Sequence, residues 1–237
     1  MDNTENKTPE EITEMLHKMN RDLGIEKEKE EFVSEGLKLV DRFIEPPFSV
    51  LDAKTGRWQA RKRKWLELGI KSEVGRDAEC LIGKNNGSND YMPDMASGTS
   101  IFDPALCELM YKWFCPEGGA ILDPFAGGSV RGIVAHLLGY KYTGIELRPE
   151  QVESNREQAK LLLPPDNQPT WICGDSDKVL DTLEGNEYDF IFSCPPYFNL
   201  EVYSDLEDDL STMSYNNFLE KYQSIIKKAH YLLINGG

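Results

Sequence analysis

From Gly119 onward the chain alternates short apolar runs with amphipathic helical patterns, and that alternation restricts it to a parallel α/β sheet. Parallel neighbours need a long crossover connection, which the intervening helical stretches supply. Ala120-Ile121-Leu122 reads as the first strand, and further strands are predicted near 141–145, 170–173 and 188–193. The helix after Ser129 places Val130, Ile133, Val134, Leu137 and Leu138 on one side. Helices near 149–162 and 176–184 separate the later strands, and Asp103-Pro104 opens an earlier helix running to about Cys115.

Ligands of open α/β sheets sit beyond the carboxyl ends of the strands, and here each strand end carries chemistry suited to one. The first ends in Asp123-Pro124-Phe125-Ala126-Gly127-Gly128-Ser129, where two glycines permit close backbone approach and a helix N-terminus follows. The second ends in Gly144-Ile145-Glu146, an acid able to accept from both hydroxyls of a ribose. The third ends in Cys173-Gly174-Asp175, whose carboxylate can accept from an exocyclic amine. The glycine run departs from G-x-G-x-x-G, which weighs against a dinucleotide.

The fourth end is Ser193-Cys194-Pro195-Pro196-Tyr197. Tyr188 to Phe192 before it reads as a buried strand. Two prolines then remove two backbone N–H donors, so the strand stops and its last carbonyls stay free as acceptors. Tyr197 adds a flat apolar face. Acceptors beside a stacking ring suit a planar base that carries an amino group.

The remaining chain constrains partners. Five cysteines form no CxxC pair and, with three histidines, show no metal-ligand spacing, so a reduced intracellular, cytoplasmic protein without a metal is expected. No apolar run approaches the length of a membrane span. The net charge is −15, yet it is uneven: an acidic helical appendage over 1–45 precedes a basic segment over 46–98. The first of its helices starts at Thr8-Pro9 and stops at Gly24; the second spans roughly 26–44. Within the basic segment, Arg57, Trp58, Arg61, Lys62, Arg63, Lys64 and Trp65 allow two readings: nucleic-acid contact, or a helix whose tryptophans, seven apart on one face, meet the core. Cys80 to Ser100 reads as a mobile loop rich in Gly, Asn and Ser.

Taken in order, these motifs resemble the S-adenosylmethionine-dependent DNA amino-methyltransferases, which act on N6 of adenine or N4 of cytosine. Asp123, Pro124, Phe125, Ala126, Gly127, Gly128 and Ser129 look like that family's D-P-F-x-G-[GS]-[ST] cofactor loop. Glu146 is similar to its ribose-binding acid, and Asp175 to the acid that contacts the cofactor's adenine. Cys194-Pro195-Pro196-Tyr197 resembles the [DNS]-P-P-[YFW] catalytic tetrad, and the segment from Thr99 to Trp113, with Asp103, resembles the helix that contacts the methionine moiety. The 46–79 segment looks like one found in phage-type members. The resemblance implies a Rossmann-like methyltransferase sheet over 99–237 holding the first four strands, with S-adenosylmethionine as cofactor and double-stranded DNA, its target base flipped, as partner. It also implies further strands after the turn at Ile234-Asn235-Gly236-Gly237, so that a partner chain or more sequence completes the sheet.

One departure concerns catalysis. Cys194, a weak acceptor, stands where the tetrad carries Asp, Asn or Ser. Either the Ser193 hydroxyl substitutes for it, or the Pro195 carbonyl does most of the work. Competing readings are methylation of RNA or of protein glutamine, attack by Cys194 on a pyrimidine ring, and an inactive fragment that binds cofactor or DNA.

Overall fold

The computed structural model describes Glu14 and residues 56–70, 102–185, 187–198 and 202–234. The two acidic helices expected in 1–45 and the loop expected over 80–100 therefore lie outside the described residues, Glu14 apart. So does Thr99.

Four strands form one sheet: β1 (Ala120–Asp123), β2 (Lys141–Glu146), β3 (Thr170–Cys173) and β4 (Phe190–Ile191). Their order is β3-β2-β1-β4, and every pairing is parallel. Accompanying them among the described residues are the α-helices α1 (Gly56–Glu67), α2 (Pro104–Phe114), α3 (Val130–Leu137), α4 (Pro149–Leu162), α5 (Ser176–Thr182) and α6 (Tyr215–Tyr231). A short 3-10 helix, Leu210–Thr212, precedes α6. The α/β expectation from the sequence is met. The order reverses between β1 and β4, since the chain adds β2 and β3 on one side of β1 and then crosses back to the other.

Strand alternation splits the core between the two faces of the sheet. Ile121, Tyr142 and Trp171 face a cluster with α1 to α4 that includes Trp65, Tyr111, Ile133 and Val152. Leu122, Ile145 and Ile172 face α5 and α6 through Leu180, Ile225 and Ala229. β1 and β2 are central, and Ile121, Leu122 and Ile145 are wholly buried.

β4 corrects the expectation of a fully buried strand over 188–193. Its regular ladder is two residues long, and both residues are only partly buried. One flank pairs with β1. On the other, the chain after α6 touches it through a single parallel bridge, Tyr188 to Leu233. That bridge lies at the start of the expected fifth strand; residues 235–237 are outside the described set.

Helix α1 resolves the two readings of the basic tryptophan segment in favour of the core for most of its side chains. Trp65 is fully buried and its Nε1 donates to Glu108 Oε2 at 2.8 Å. Arg61 forms a two-pronged ion pair with the same carboxylate. Burial lowers the Arg61 pKa to about 10, which leaves it charged at neutral pH. Trp58 Nε1 donates to Asp103 Oδ2 at 3.0 Å, with Lys62 3.4 Å from the same oxygen. Trp58, Arg61 and Lys62 thus dock α1 onto α2, the core-facing of their two readings, which is compatible with nucleic-acid contact elsewhere on the helix. Arg63 is exposed.

Glu108 is 5 % exposed and joins Arg61, Trp65 and Lys112. Removing one member of a buried ion pair strands the other charge, so Glu108→Ala is expected to cost about 3–5 kcal/mol in denaturant unfolding. At Gly132 on α3, an added Cβ would lie 2.5 Å from Trp171 Cζ2 and 3.1 Å from Tyr142 Cδ1. Gly132→Ala should therefore destabilise by about 1–3 kcal/mol in the same assay, despite the better helix propensity of alanine.

Candidate active site

A cleft opens at the carboxyl ends of the strands, where the strand order reverses. Its walls come from Pro124 to Gly128 after β1, Ile145 to Arg148 around the end of β2, Asp175 and Ser176 after β3, and Cys194 to Tyr197 after β4. Arg131 on α3 and Asp208 to Leu210 close it further. In an open α/β sheet such a reversal leaves a crevice, because the connections on its two sides run over opposite faces.

Asp123 ends β1 and is 0 % exposed. Its Oδ2 accepts from Arg131 Nε at 2.5 Å and from the Tyr142 hydroxyl at 2.6 Å. Its Oδ1 accepts from the Ser193 hydroxyl at 2.5 Å and from Phe125 N at 3.2 Å. This carboxylate does not line the cleft, so its expected direct contact with a cofactor becomes a role in shaping the loop. Burial alone would lower the Arg131 pKa, but the adjacent Asp123 charge outweighs it and raises the value. Burial raises the Tyr142 pKa, and Asp123 raises it further, so the phenol stays a donor.

Arg131 also organises the glycine-rich loop. Its Nη2 donates to the carbonyls of Phe125 and Ala126 at 2.5 and 2.8 Å, and its guanidinium lies 4.5 Å from the Phe102 ring centroid. Gly127 has φ 51, a left-handed conformation in which glycine avoids the Cβ penalty. Its N–H donates to Glu146 Oε2 at 2.9 Å and its carbonyl accepts from Asn155 Nδ2 at 2.7 Å. The Glu146 carboxylate also accepts from Arg148 N at 3.0 Å. Ser129 is buried beneath the loop, its hydroxyl 3.2 Å from Gln158 Oε1, and so does not line the cleft. Asp103 is the N-cap of α2, accepting from Ala105 N at 2.9 Å, and likewise lies away from the cleft lining.

Asp175 does line the cleft, where it caps α5 and meets Lys221 Nζ at 3.0 Å and Lys178 Nζ at 3.5 Å. Both lysines also hold Asp208, through its Oδ1 at 2.9 Å and its Oδ2 at 2.7 Å respectively. Hydrogen bonds from Lys178 and then Lys221 pull the Asp208 carboxyl below its usual range. Part of the acidic stretch after the Pro-Pro turn is thereby folded back onto the third strand end.

The Pro-Pro turn is fastened on both sides. Before it, Ser193 Oγ accepts from Phe125 N at 2.9 Å while donating to Asp123. That engagement uses the Ser193 proton and one of its two acceptor sites, and Ser193 does not line the cleft. After it, Phe198 sits at φ 49, an uncommon conformation for a non-glycine residue. Its ring packs 5.3 Å from both Tyr215 and Phe218 on α6. The stack continues from Phe218 through Tyr222 to Phe125 on the β1 loop. With Phe198 turned inward, Tyr197 is left 61 % exposed at the cleft.

Cleft-facing positions expected from the sequence are therefore Pro124 to Gly128, Glu146, Asp175 and Cys194 to Tyr197. Arg131, Lys221, Phe198 and Tyr222 were not singled out. A buried arginine directly after a glycine-rich turn is a signal that sequence reading could have used; the other three emerge only from packing. Arg63 and Lys64 do not line the cleft, and no group of three or more His, Cys, Asp or Glu residues suited to a metal occurs among the described residues. Among the same residues no helix is long and apolar enough to cross a membrane.

Residues 84–157 match a family model described as DNA methylase, that of the N6/N4 amino-methyltransferases. The matched stretch includes α2, β1, the glycine-rich loop, α3 and β2 with Glu146. No curated protein matches the chain. Over residues 84–157, about a third of its length, the chain is similar to the DNA amino-methyltransferases.

Proposed function

We propose that the cleft transfers a methyl group from S-adenosylmethionine to the exocyclic amine of adenine or cytosine in a base flipped out of duplex DNA. The observation that carries this reading is the convergence of four strand ends on one cleft. A glycine-rich turn, an acid and a second acid meet an acceptor turn that ends in an exposed tyrosine.

The donor set fits the cofactor. Glu146 accepts from Gly127 N, Arg148 N and Arg148 Nε, and a carboxylate offers about four acceptor sites, so capacity remains for one ribose hydroxyl, on the Oε2 side. Asp175, braced by Lys221, supplies an acceptor for an adenine amine. When bound, S-adenosylmethionine supplies an electrophilic methyl carbon. The chain's part is positional: an exocyclic amine is a poor nucleophile because its lone pair is delocalised into the ring. The Pro195 carbonyl accepts from one amine N–H and stabilises the positive charge that develops on nitrogen. Tyr197 stacks on the extruded base. As the nitrogen gains carbon it gives up a proton to solvent. Duplex contact through α1 would rest on Arg63, which is exposed.

Labelled methyl incorporation into unmodified DNA, compared with RNA and protein, tests the substrate class. Tyr197→Ala should lower transfer to DNA about 10–100-fold, the worth of one stacked base. Glu146→Gln should weaken S-adenosylmethionine binding about tenfold or more in calorimetry. Transfer to RNA or protein in preference to DNA, or unchanged transfer by Tyr197→Ala, would sink the reading.

Cys194 lies in the cleft at the position of a stronger acceptor. Cys194→Ser, which offers a better acceptor in nearly the same volume, is expected to keep or raise the transfer rate. Loss of activity together with a covalent adduct of the unaltered chain on 5-fluorocytosine DNA would instead make the thiol a nucleophile.

A further inference from the structure

We propose that Ser193 is a positioning residue for methyl transfer. Its hydroxyl locks the Pro-Pro turn to the glycine-rich loop and so fixes the direction of the Pro195 carbonyl. The proposal rests on the methyltransferase reading of the cleft and adds a residue that acts through its neighbours.

Ser193 does not line the cleft, whereas the four residues after it do. Its hydroxyl donates to Asp123 Oδ1 at 2.5 Å and accepts from Phe125 N at 2.9 Å, so one oxygen ties the end of β4 to the loop after β1. The acceptor side of that tie is rigid. Asp123 is also held by Arg131 and Tyr142, and Arg131 grips the loop carbonyls of Phe125 and Ala126. On the side being positioned, Pro195 and Pro196 have no N–H, and the last backbone bond to β1 is that of Phe192 N to the Leu122 carbonyl at 3.1 Å. Beyond the turn, the Phe198 ring packs against Tyr215 and Phe218.

Loss of the polar anchor should affect chemistry more than cofactor affinity. The glycine-rich loop keeps its bonds to Arg131, Glu146 and Asn155 without Ser193. The Pro195 carbonyl, in contrast, loses its nearest hydrogen-bonded support. A misplacement of about 1 Å at a reacting centre costs on the order of 100-fold in rate.

The test compares the full chain with Ser193→Ala and Ser193→Thr, using labelled S-adenosylmethionine and unmethylated plasmid DNA, with thermal unfolding measured in parallel. Ser193→Ala is expected to lower kcat about 10–100-fold while KM for S-adenosylmethionine stays within about threefold. Ser193→Thr keeps the hydroxyl and should retain kcat within about threefold of the unaltered chain. If alanine prevents folding, Ser193→Val set against Ser193→Thr makes the same comparison at matched volume. Undiminished kcat in the hydroxyl-free variant, equal loss in the threonine variant, or a loss confined to KM would overturn the proposal. An unaltered chain that transfers no methyl to DNA overturns the underlying reading and this proposal with it. An active chain indifferent to Ser193 overturns this proposal alone.

Discussion

The buried carboxylate of Asp123 is the point on which the site depends. A charge taken out of water costs several kcal/mol unless it is paired and its lone pairs are filled. Here Arg131 neutralises it, while Tyr142, Ser193 and Phe125 N occupy the remaining acceptor positions. Those partners come from α3, from β2, from the end of β4 and from the loop itself. One side chain at the end of the central strand thus ties together all three chain segments that flank the strand-order reversal. Such a network contributes little net stability compared with apolar packing, but each member has one satisfied arrangement. That property gives the cleft a defined shape.

Around this centre the two faces of the sheet have different tasks. On the α1 to α4 face, Trp65, Tyr111 and Trp171 build a deep core, and α1 is bolted to α2 through Glu108 and Asp103. Phe102, next to Asp103, then lies over the Arg131 guanidinium, so the docking of α1 bears on the active-site arginine through one residue. On the other face, α6 sends Tyr222 and Phe218 as a stacked pair between Phe125 and Phe198. It also sends Lys221 to Asp175 and Asp208. The cleft is supported from both sides by elements that precede and follow the methylase-matched stretch.

Much of this was legible beforehand, for physical reasons that differ by element. The strands and helices from Ala120 to Cys173 follow from periodicity, because central parallel strands are buried on both sides and leave continuous apolar runs. The N-caps Asp103 and Asp175 were visible because a short carboxylate before a helix satisfies otherwise unpaired N–H groups. β4 was less legible. Tyr188 to Phe192 is apolar enough for a central strand, yet among the described residues its outer flank meets the chain after α6 at one bridge. The partners of the basic run of α1 were not legible, since Arg61 and Lys62 meet carboxylates 40 or more residues away along the chain.

By itself the sequence determined the class of fold, the resemblance to the DNA amino-methyltransferases and the motifs at each strand end, since these depend on local spacing and residue chemistry. Only the tertiary structure decided which motif residues meet a ligand and which hold the scaffold. Asp123, Ser129 and Ser193 belong to motifs that read as binding residues, yet their side chains turn into the protein, whereas Glu146, Asp175 and Tyr197 line the cleft. The physical reason is the crossover that places β4 beside β1. It brings Ser193 within hydrogen-bond reach of Asp123, and no property of either residue's neighbours along the chain encodes that distance.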